Sequence, residues 1–169
     1  VREWIDAGVS RILELKPDRA LEIGCGTGQI LTRVAPHCSR YVGTDFSEVA
    51  VRELKALLGR PDRRMPQVEI LRRDADRFDG FEDASFDTVV VNSVVQYFPD
   101  TDYLDAVLEG ALRVVSPGGR VFVGDVQSWA LLETHHAADQ LRRAEGSSTR
   151  QHLAEIVRAR VSQENELVL

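Results

Sequence analysis

The sequence predicts an α/β domain built on an open, doubly wound parallel sheet, and three observations predict it. Short apolar runs at 20–24, 41–45, 68–71, 88–92 and 120–126 alternate with segments of helical periodicity, the pattern of repeated strand–helix crossovers. Thr88-Val89-Val90-Val91 is apolar without alternation, as a central parallel strand covered on both faces must be. Polar and glycine residues gather where the runs stop, at Gly24 to Gly28, Asp45, Asp74, Asn92 and Asp125. In such sheets the crevice beyond the strands' carboxyl ends is where ligands bind.

Composition narrows the class further. At 169 residues, 43% apolar and 28% charged, the chain is long enough for one well-packed domain and shows no break that would make two. A net charge of −6 argues against nonspecific nucleic-acid binding, which draws on lysine and arginine. Arg63-Arg64 and Arg72-Arg73 are read as solvated charges. No run is long enough to cross a bilayer. Cys25 and Cys38, with His37 the one close imidazole, match neither a zinc spacing nor a disulfide scaffold, so no metal is expected and a reducing cytoplasm suits them. The chain begins at Val1 without a methionine, as a piece cut from a longer protein would.

Taken in order, residues 2 to 15 place Trp4, Ile5, Val9, Ile12, Leu13 and Leu15 at near-helical spacing, an amphipathic lead-in helix ended by Pro17-Asp18. The first strand, 20–24, runs into Gly24-Cys25-Gly26-Thr27-Gly28 and then into a helix over 29–35, stopped before Pro36. Glycines there let backbone approach a ligand, and a helix start offers unpaired N–H groups. A dinucleotide fingerprint would need glycine at Gln29, and a phosphate loop would need a Gly-Lys-Ser/Thr ending that is absent. With Glu22 two residues before the first glycine, the run instead resembles the first motif of S-adenosylmethionine-dependent methyltransferases with a Rossmann-like fold. The resemblance implies that Glu22, Gly24, Gly26 and Gly28 contact that cofactor.

The later elements extend the expected site. Asp45 ends the second strand, where a carboxylate can accept both ribose hydroxyl protons, and Phe46 would flank the adenine. Ser47 caps a helix over 48–58. Gly59, Pro61 and Pro66 mark a loop before the strand 68–71, beyond which Asp74, with Ala75 beside it, would accept the adenine amine. After the fourth strand, Asn92 and Ser93 lie where the methionine part of the cofactor meets the substrate, and Gln96 and Tyr97 are expected on the substrate side. Asp100 or Thr101 caps a helix whose stripe Leu104, Val107, Leu108, Ala111, Leu112 and Val115 reads as core. Residues 116–119 read as a turn before a fifth strand at 120–126, and a helix over 128–143 carries His135 and His136. A break at Gly146-Ser147-Ser148 precedes a last amphipathic helix.

Three phrases carry a narrower resemblance: Asn-Ser-Val-Val-Gln-Tyr-Phe-Pro-Asp at 92–100, Pro-Gly-Gly-Arg-Val-Phe-Val-Gly-Asp-Val at 117–126 and Gln-Glu-Asn-Glu-Leu-Val-Leu at 163–169. They look like the methyltransferase domains embedded in modular polyketide synthases and nonribosomal peptide synthetases. The resemblance implies a Rossmann-like doubly wound methyltransferase fold divided into a lead-in helix (1–18), a cofactor-binding core (19–127) and substrate-side helices with a tail (128–169). Family members carry two further strands, so the fold is expected to be truncated before the last two. The implied partners are an acyl carrier protein presenting the tethered substrate and the neighbouring synthase domains, with S-adenosylhomocysteine as the cofactor product.

The favoured reading is O-methylation of a carrier-bound polyketide hydroxyl. A hydroxyl needs a base near the methyl group, and histidine titrates in the right range. Leu131-Leu132-Glu133-Thr134-His135-His136 resembles the segment that keeps such a base in oxygen-methylating members, which points to His136, with His135 as the spare. The resemblance assigns the carboxylate that orients it to Glu166, then to Glu164. N-methylation in a peptide synthetase, and a decayed domain that only binds cofactor, are the competing readings.

Overall fold

The structure is a computed structural model and describes residues 2–143, 149–164 and 166–169. The element order is α1 (Arg2–Glu14), β1 (Arg19–Ile23), α2 (Leu31–Val34), β2 (Arg40–Asp45), α3 (Glu48–Leu58), β3 (Val68–Arg72), β4 (Phe86–Asn92), α4 (Thr101–Val114), β5 (Val115–Gly124), α5 (Trp129–Arg143) and α6 (Arg150–Ser162). Among the described residues the five strands form one sheet in the order β3-β2-β1-β4-β5, and every neighbouring pair is parallel. This is an α/β, Rossmann-like doubly wound fold. The order reverses direction between β1 and β4, which opens a crevice at their carboxyl ends.

Period-two alternation along the strands builds the two faces. Ala20, Tyr41, Ile70 and Val90 point into a core shared with Val9 and Ile12 of α1, Leu31 and Val34 of α2, and Val51 and Leu54 of α3. Leu21, Ile23, Val42, Val89 and Val91 point the other way, onto Leu104, Val107, Ala111 and Val114 of α4. Val89, Val90 and Val91 have no exposed surface, so β4 is the covered central strand its composition predicts. Asp87 pins the foot of β1 to β4, its carboxylate accepting from the Asp18 N–H (3.1 Å) and the Arg19 N–H (2.6 Å). The caps follow the sequence: Ser47 Oγ accepts from Ala50 N–H at 3.3 Å, and Asp100 accepts from Tyr103 N–H at 2.9 Å.

Two elements depart from their expected bounds for local reasons. The helix after the glycine turn is one turn long and passes into a 3-10 turn over Ala35–His37 that includes Pro36. Proline lacks an N–H but tolerates the first positions of a new turn, so the chain tightens instead of stopping. The fifth strand starts at Val115, not at 120: Phe86 pairs with Val115 and Thr88 with Arg120, so 116–119 forms a bulge inside the strand. Gly119 is required there, since its ideal Cβ would stand 2.6 Å from the Asp87 carbonyl. Val115 consequently belongs to β5, and Leu112 is solvent-exposed; Val114 takes the core place assigned to it. The expected break at 146–148, and Asn165 of the tail phrase, lie outside the described residues. No helix among the described residues is long and apolar enough to cross a membrane.

Candidate active site

A cleft of about 680 Å³ lies at the switch point, within the size range of small-molecule sites. Its floor is the end of β1 and the glycine turn, with Glu22, Gly24, Cys25 and Gly26. Asn92, Ser93, Gly124 and Asp125, at the ends of β4 and β5, form one wall, and Trp4, Gly8 and Arg11 of α1 form the other. Three of the glycine-turn positions have left-handed backbone: Gly24 (φ 74°), Gly26 (φ 49°) and Gly28 (φ 75°). They do different jobs. A Cβ on Gly26 would meet nothing within 4 Å, so the turn keeps an open face toward the cleft. A Cβ on Gly24 would strike Val94, and one on Gly28 would come within 2.5 Å of Leu54 Cδ1 under α3. Gly28 is not a lining residue; packing and φ explain its presence.

Glu22 sits on the floor, 4% exposed, and accepts a hydrogen bond from Tyr41 Oη at 2.8 Å. Burial pushes its carboxyl up to about 8; the Tyr41 bond opposes the rise and the neighbouring Asp45 charge adds to it. Burial likewise raises the Cys25 thiol, with Glu22 and Asp45 adding to the effect, and Cys38 is pushed up to about 12. Both cysteines are free and buried, and neither is a nucleophile at neutral pH.

Asp45 does not line the cleft but is tied to it. Its Oδ2 accepts from Gly26 N–H and its Oδ1 from Ser47 N–H, both at 2.8 Å, so one carboxylate fixes the glycine turn and the start of α3 together. Each oxygen retains acceptor capacity. Phe46 is exposed immediately beyond it. Asp74 is exposed past the end of β3 with Ala75 half-buried beside it, both outside the cleft lining.

At the ends of β4 and β5 the side chains form a donor chain. Asn92 Nδ2 donates to Ser93 Oγ at 3.0 Å, and Ser93 Oγ donates to Asp125 Oδ2 in a close contact. Ser93 (φ 59°) and Asp125 (φ 56°) are both left-handed without being glycine. Such strain persists where surrounding structure over-determines it, and here two strand ends are locked to each other. Gly124 is necessary beneath them, because a Cβ there would strike Asn92 Oδ1.

The substrate-side residues are placed less uniformly. Tyr97 is exposed, and Gln96 is half-buried with Oε1 accepting no hydrogen bond from the described residues. On α5, His136 Nε2 lies 3.2 Å from Glu164 Oε2, and His135 is exposed beside it, its ring edge-on to His136 with centroids 5.8 Å apart. The carboxylate at His136 is thus Glu164 and not the first-assigned Glu166, which instead accepts from Gln127 Nε2 while its N–H donates to Glu164 Oε1 at 3.1 Å. The cause is the tail's path. Leu167 N–H donates to Gln96 O (2.9 Å) and Leu169 N–H to Gln127 O (3.0 Å), turning residue 166 toward the start of α5. No histidine is among the described residues that line the cleft.

The structure therefore brings together Glu22, Gly24, Gly26, Asn92 and Ser93, links Asp45 to them, and leaves the His136–Glu164 pair on the α5–α6 side. Sequence reasoning missed the contribution of α1 and the part played by Asp125. The signal for α1 was Ala7-Gly8, small residues in mid-helix that let it approach the strand ends; Gly8's ideal Cβ lies 3.9 Å from Asn92 Oδ1.

Residues 21–121 match the family described as "Methyltransferase domain". The chain is 48% identical over 169 residues to chondramide synthase cmdD of Chondromyces crocatus, covering all of this chain and 4% of that synthase. It is 41% identical over 138 residues to the probable non-canonical nonribosomal peptide synthetase CymA of Salinispora arenicola, covering 82% of this chain and 2% of CymA. The chain thus spans only a few per cent of the length of these curated relatives. Among solved structures it resembles the N-methyltransferase NodS of Bradyrhizobium japonicum in complex with S-adenosylhomocysteine, with a TM-score of 0.62, 21% identity, and coverage of 94% of this chain and 73% of that one. The sheet order, the cleft at its switch point and the match over 21–121 converge on one conclusion: this chain belongs to the methyltransferase-domain family of enzymes.

Proposed function

We propose that the chain is an S-adenosylmethionine-dependent N-methyltransferase domain of a nonribosomal peptide synthetase, acting on an aminoacyl or peptidyl nitrogen presented by a carrier protein. The observation that carries the choice of nitrogen is the cleft wall. Where acceptor and methyl donor would meet stands the Asn92–Ser93–Asp125 chain ending in a carboxylate, and no imidazole is among the described lining residues. The curated relatives support the setting, since CymA is itself named a nonribosomal peptide synthetase.

The residues fit the cofactor. The lining offers the Glu22 carboxyl for a cationic group and the Arg11 guanidinium for a carboxylate, and Gly26 leaves an open backbone face. Asp45, Phe46, Asp74 and Ala75, beyond the cleft, are assigned to the ribose and adenine end. S-adenosylmethionine supplies an electrophilic methyl group and leaves as S-adenosylhomocysteine. The protein's part is positioning: Asp125 accepts the acceptor's N–H, aims the nitrogen lone pair, and takes the proton released as the new N–C bond forms and the C–S bond breaks. Ser93, donating to Oδ2, fixes the carboxylate's direction.

The His136–Glu164 contact favours a second reading, O-methylation with His136 as base and Glu164 holding its tautomer. Carrier-loaded amino and hydroxy acyl substrates, matched in side chain and followed by intact mass, separate the two. The nitrogen reading expects methylation of the amino substrate, a loss of roughly 10-fold or more in Asp125→Asn, and little change in His136→Ala. Methylation confined to the hydroxy substrate, with a loss of roughly 100-fold or more in His136→Ala, establishes the oxygen reading instead. Binding of S-adenosylhomocysteine without transfer to either substrate overturns both and leaves a decayed cofactor-binding domain.

A further inference from the structure

We propose that Tyr41 is a positioning residue for cofactor binding: its buried hydroxyl holds the Glu22 carboxyl at the cleft floor, so that entry of the cationic cofactor ionises Glu22 and releases one proton. The inference rests on reading the cleft as the S-adenosylmethionine site.

The geometry is set by strand register. On β1, Glu22 pairs with Gly43 of β2 and Val90 of β4, and its side chain points to the face that carries Tyr41. Tyr41 has no exposed surface and lies among Ile12, Leu31 and Val34, so its hydroxyl has nowhere to turn but along the sheet to Glu22 Oε2. Gly43, the β2 partner of Glu22, has little room for a side chain: a Cβ there would crowd Leu31 Cδ1 at 3.0 Å and Cys25 Sγ at 3.1 Å. With Oε2 held from below, Glu22 is presented to the cavity it lines.

The groups packed against Glu22 are neutral or acidic, and the Arg11 guanidinium stands across the cleft and is not among the causes that shift it. Tyr41 and Asp45 come from β2 and Cys25 from the glycine turn; across the cleft stand Asp125 from β5 and Arg11 from α1. Burial favours the neutral acid, Asp45 reinforces it, and only the Tyr41 bond favours the carboxylate. An isolated buried carboxyl is therefore protonated near neutral pH, and a cation brought alongside reverses the balance. The proton leaves the carboxyl for bulk solvent as the ligand's positive charge replaces it, so charge at the floor is conserved.

Calorimetric titration of the chain with S-adenosylmethionine, in the absence of any acceptor and repeated in buffers of different ionisation enthalpy, counts the protons exchanged. The parent is expected to release about one proton at pH 7 and close to none at about pH 9.5, where Glu22 is already ionised. Removal of the phenol in Tyr41→Phe should weaken binding at pH 7 roughly 10-fold, the equivalent of losing one hydrogen bond to a charged group, and move the release to higher pH. Glu22→Gln should bind with no proton release and with pH-independent affinity, and it remains informative if Tyr41→Phe folds poorly. Binding by the parent without proton release, or a loss in Tyr41→Phe equal at every pH, overturns the inference while leaving the cofactor site standing. Absence of binding at any pH overturns the cofactor reading itself.

Discussion

At the scale of single residues, the three glycines of the turn separate folding from ligand binding. Gly28→Ala combines a left-handed φ with a Cβ 2.5 Å from Leu54 Cδ1, and it should destabilise the chain by about 2–4 kcal/mol in a denaturant titration. Gly26→Ala meets no neighbouring atom, so its folding cost should be limited to the backbone term, about 1–2 kcal/mol. The added methyl faces the cleft, however, and S-adenosylhomocysteine affinity should fall by more in Gly26→Ala than in Gly28→Ala. Equal affinity losses would show that the turn acts as one unit. The sequence made the motif legible because glycine spacing is local. It could not say which glycine serves packing, since Leu54 reaches Gly28 only through the placement of α3. The same limit explains Glu164 and Glu166: the tail has no period, and the hydrogen bonds of Leu167 and Leu169 to distant segments decide which acid meets His136.

At the scale of elements, strands and long helices were readable because their burial follows a period, and the misread boundaries fall where one residue's environment overrides it. Pro36 sits inside a tightened turn, and the 116–119 bulge exists because Val115 can pair with Phe86 before the chain kinks. The lead-in helix was legible as amphipathic, but its role as a cleft wall follows from how it lies across β1 and β4, which periodicity does not encode. The tail is the clearest case. Residues 166–169 form neither helix nor strand, yet Leu167 packs against the α4-side core and the backbone ties Gln96 to Gln127 and Trp129. The tail therefore fastens the segment after β4 to the segment after β5, the two stretches that carry the acceptor side of the cleft. Leu167→Ala, at a partly buried position, should cost about 1–2 kcal/mol and be felt locally. Amide exchange at Leu167, Leu169 and Trp129 should quicken while β1 and β4 keep their protection. Uniform acceleration across the sheet would mean that the tail belongs to the global folding unit.

At the scale of the whole molecule, two cores on opposite faces of one sheet make the fold, and the cost of the site is concentrated in one buried acid on its central strands. Glu22 is held between β2 and β4 with its carboxyl pushed up to about 8, against an ordinary value of 4.5. The native state thus retains a proton that the unfolded chain gives up. The sign follows: this contribution to stability is fully present below about pH 4.5, shrinks as pH rises, and is lost above about pH 8. Between those limits the slope is at most about 1.4 kcal/mol per pH unit from this one group. Glu22→Gln preserves shape and keeps an oxygen for the Tyr41 hydroxyl, but carries no proton to lose. The variant should therefore be close to the parent in stability near pH 5 and more stable by a few kcal/mol near pH 8. Urea denaturation of both proteins at pH 5, 6.5 and 8, without cofactor, measures the difference. Parallel stability curves for parent and variant would show that Glu22 ionises freely in the folded chain, and that the sheet tolerates a carboxylate at its centre.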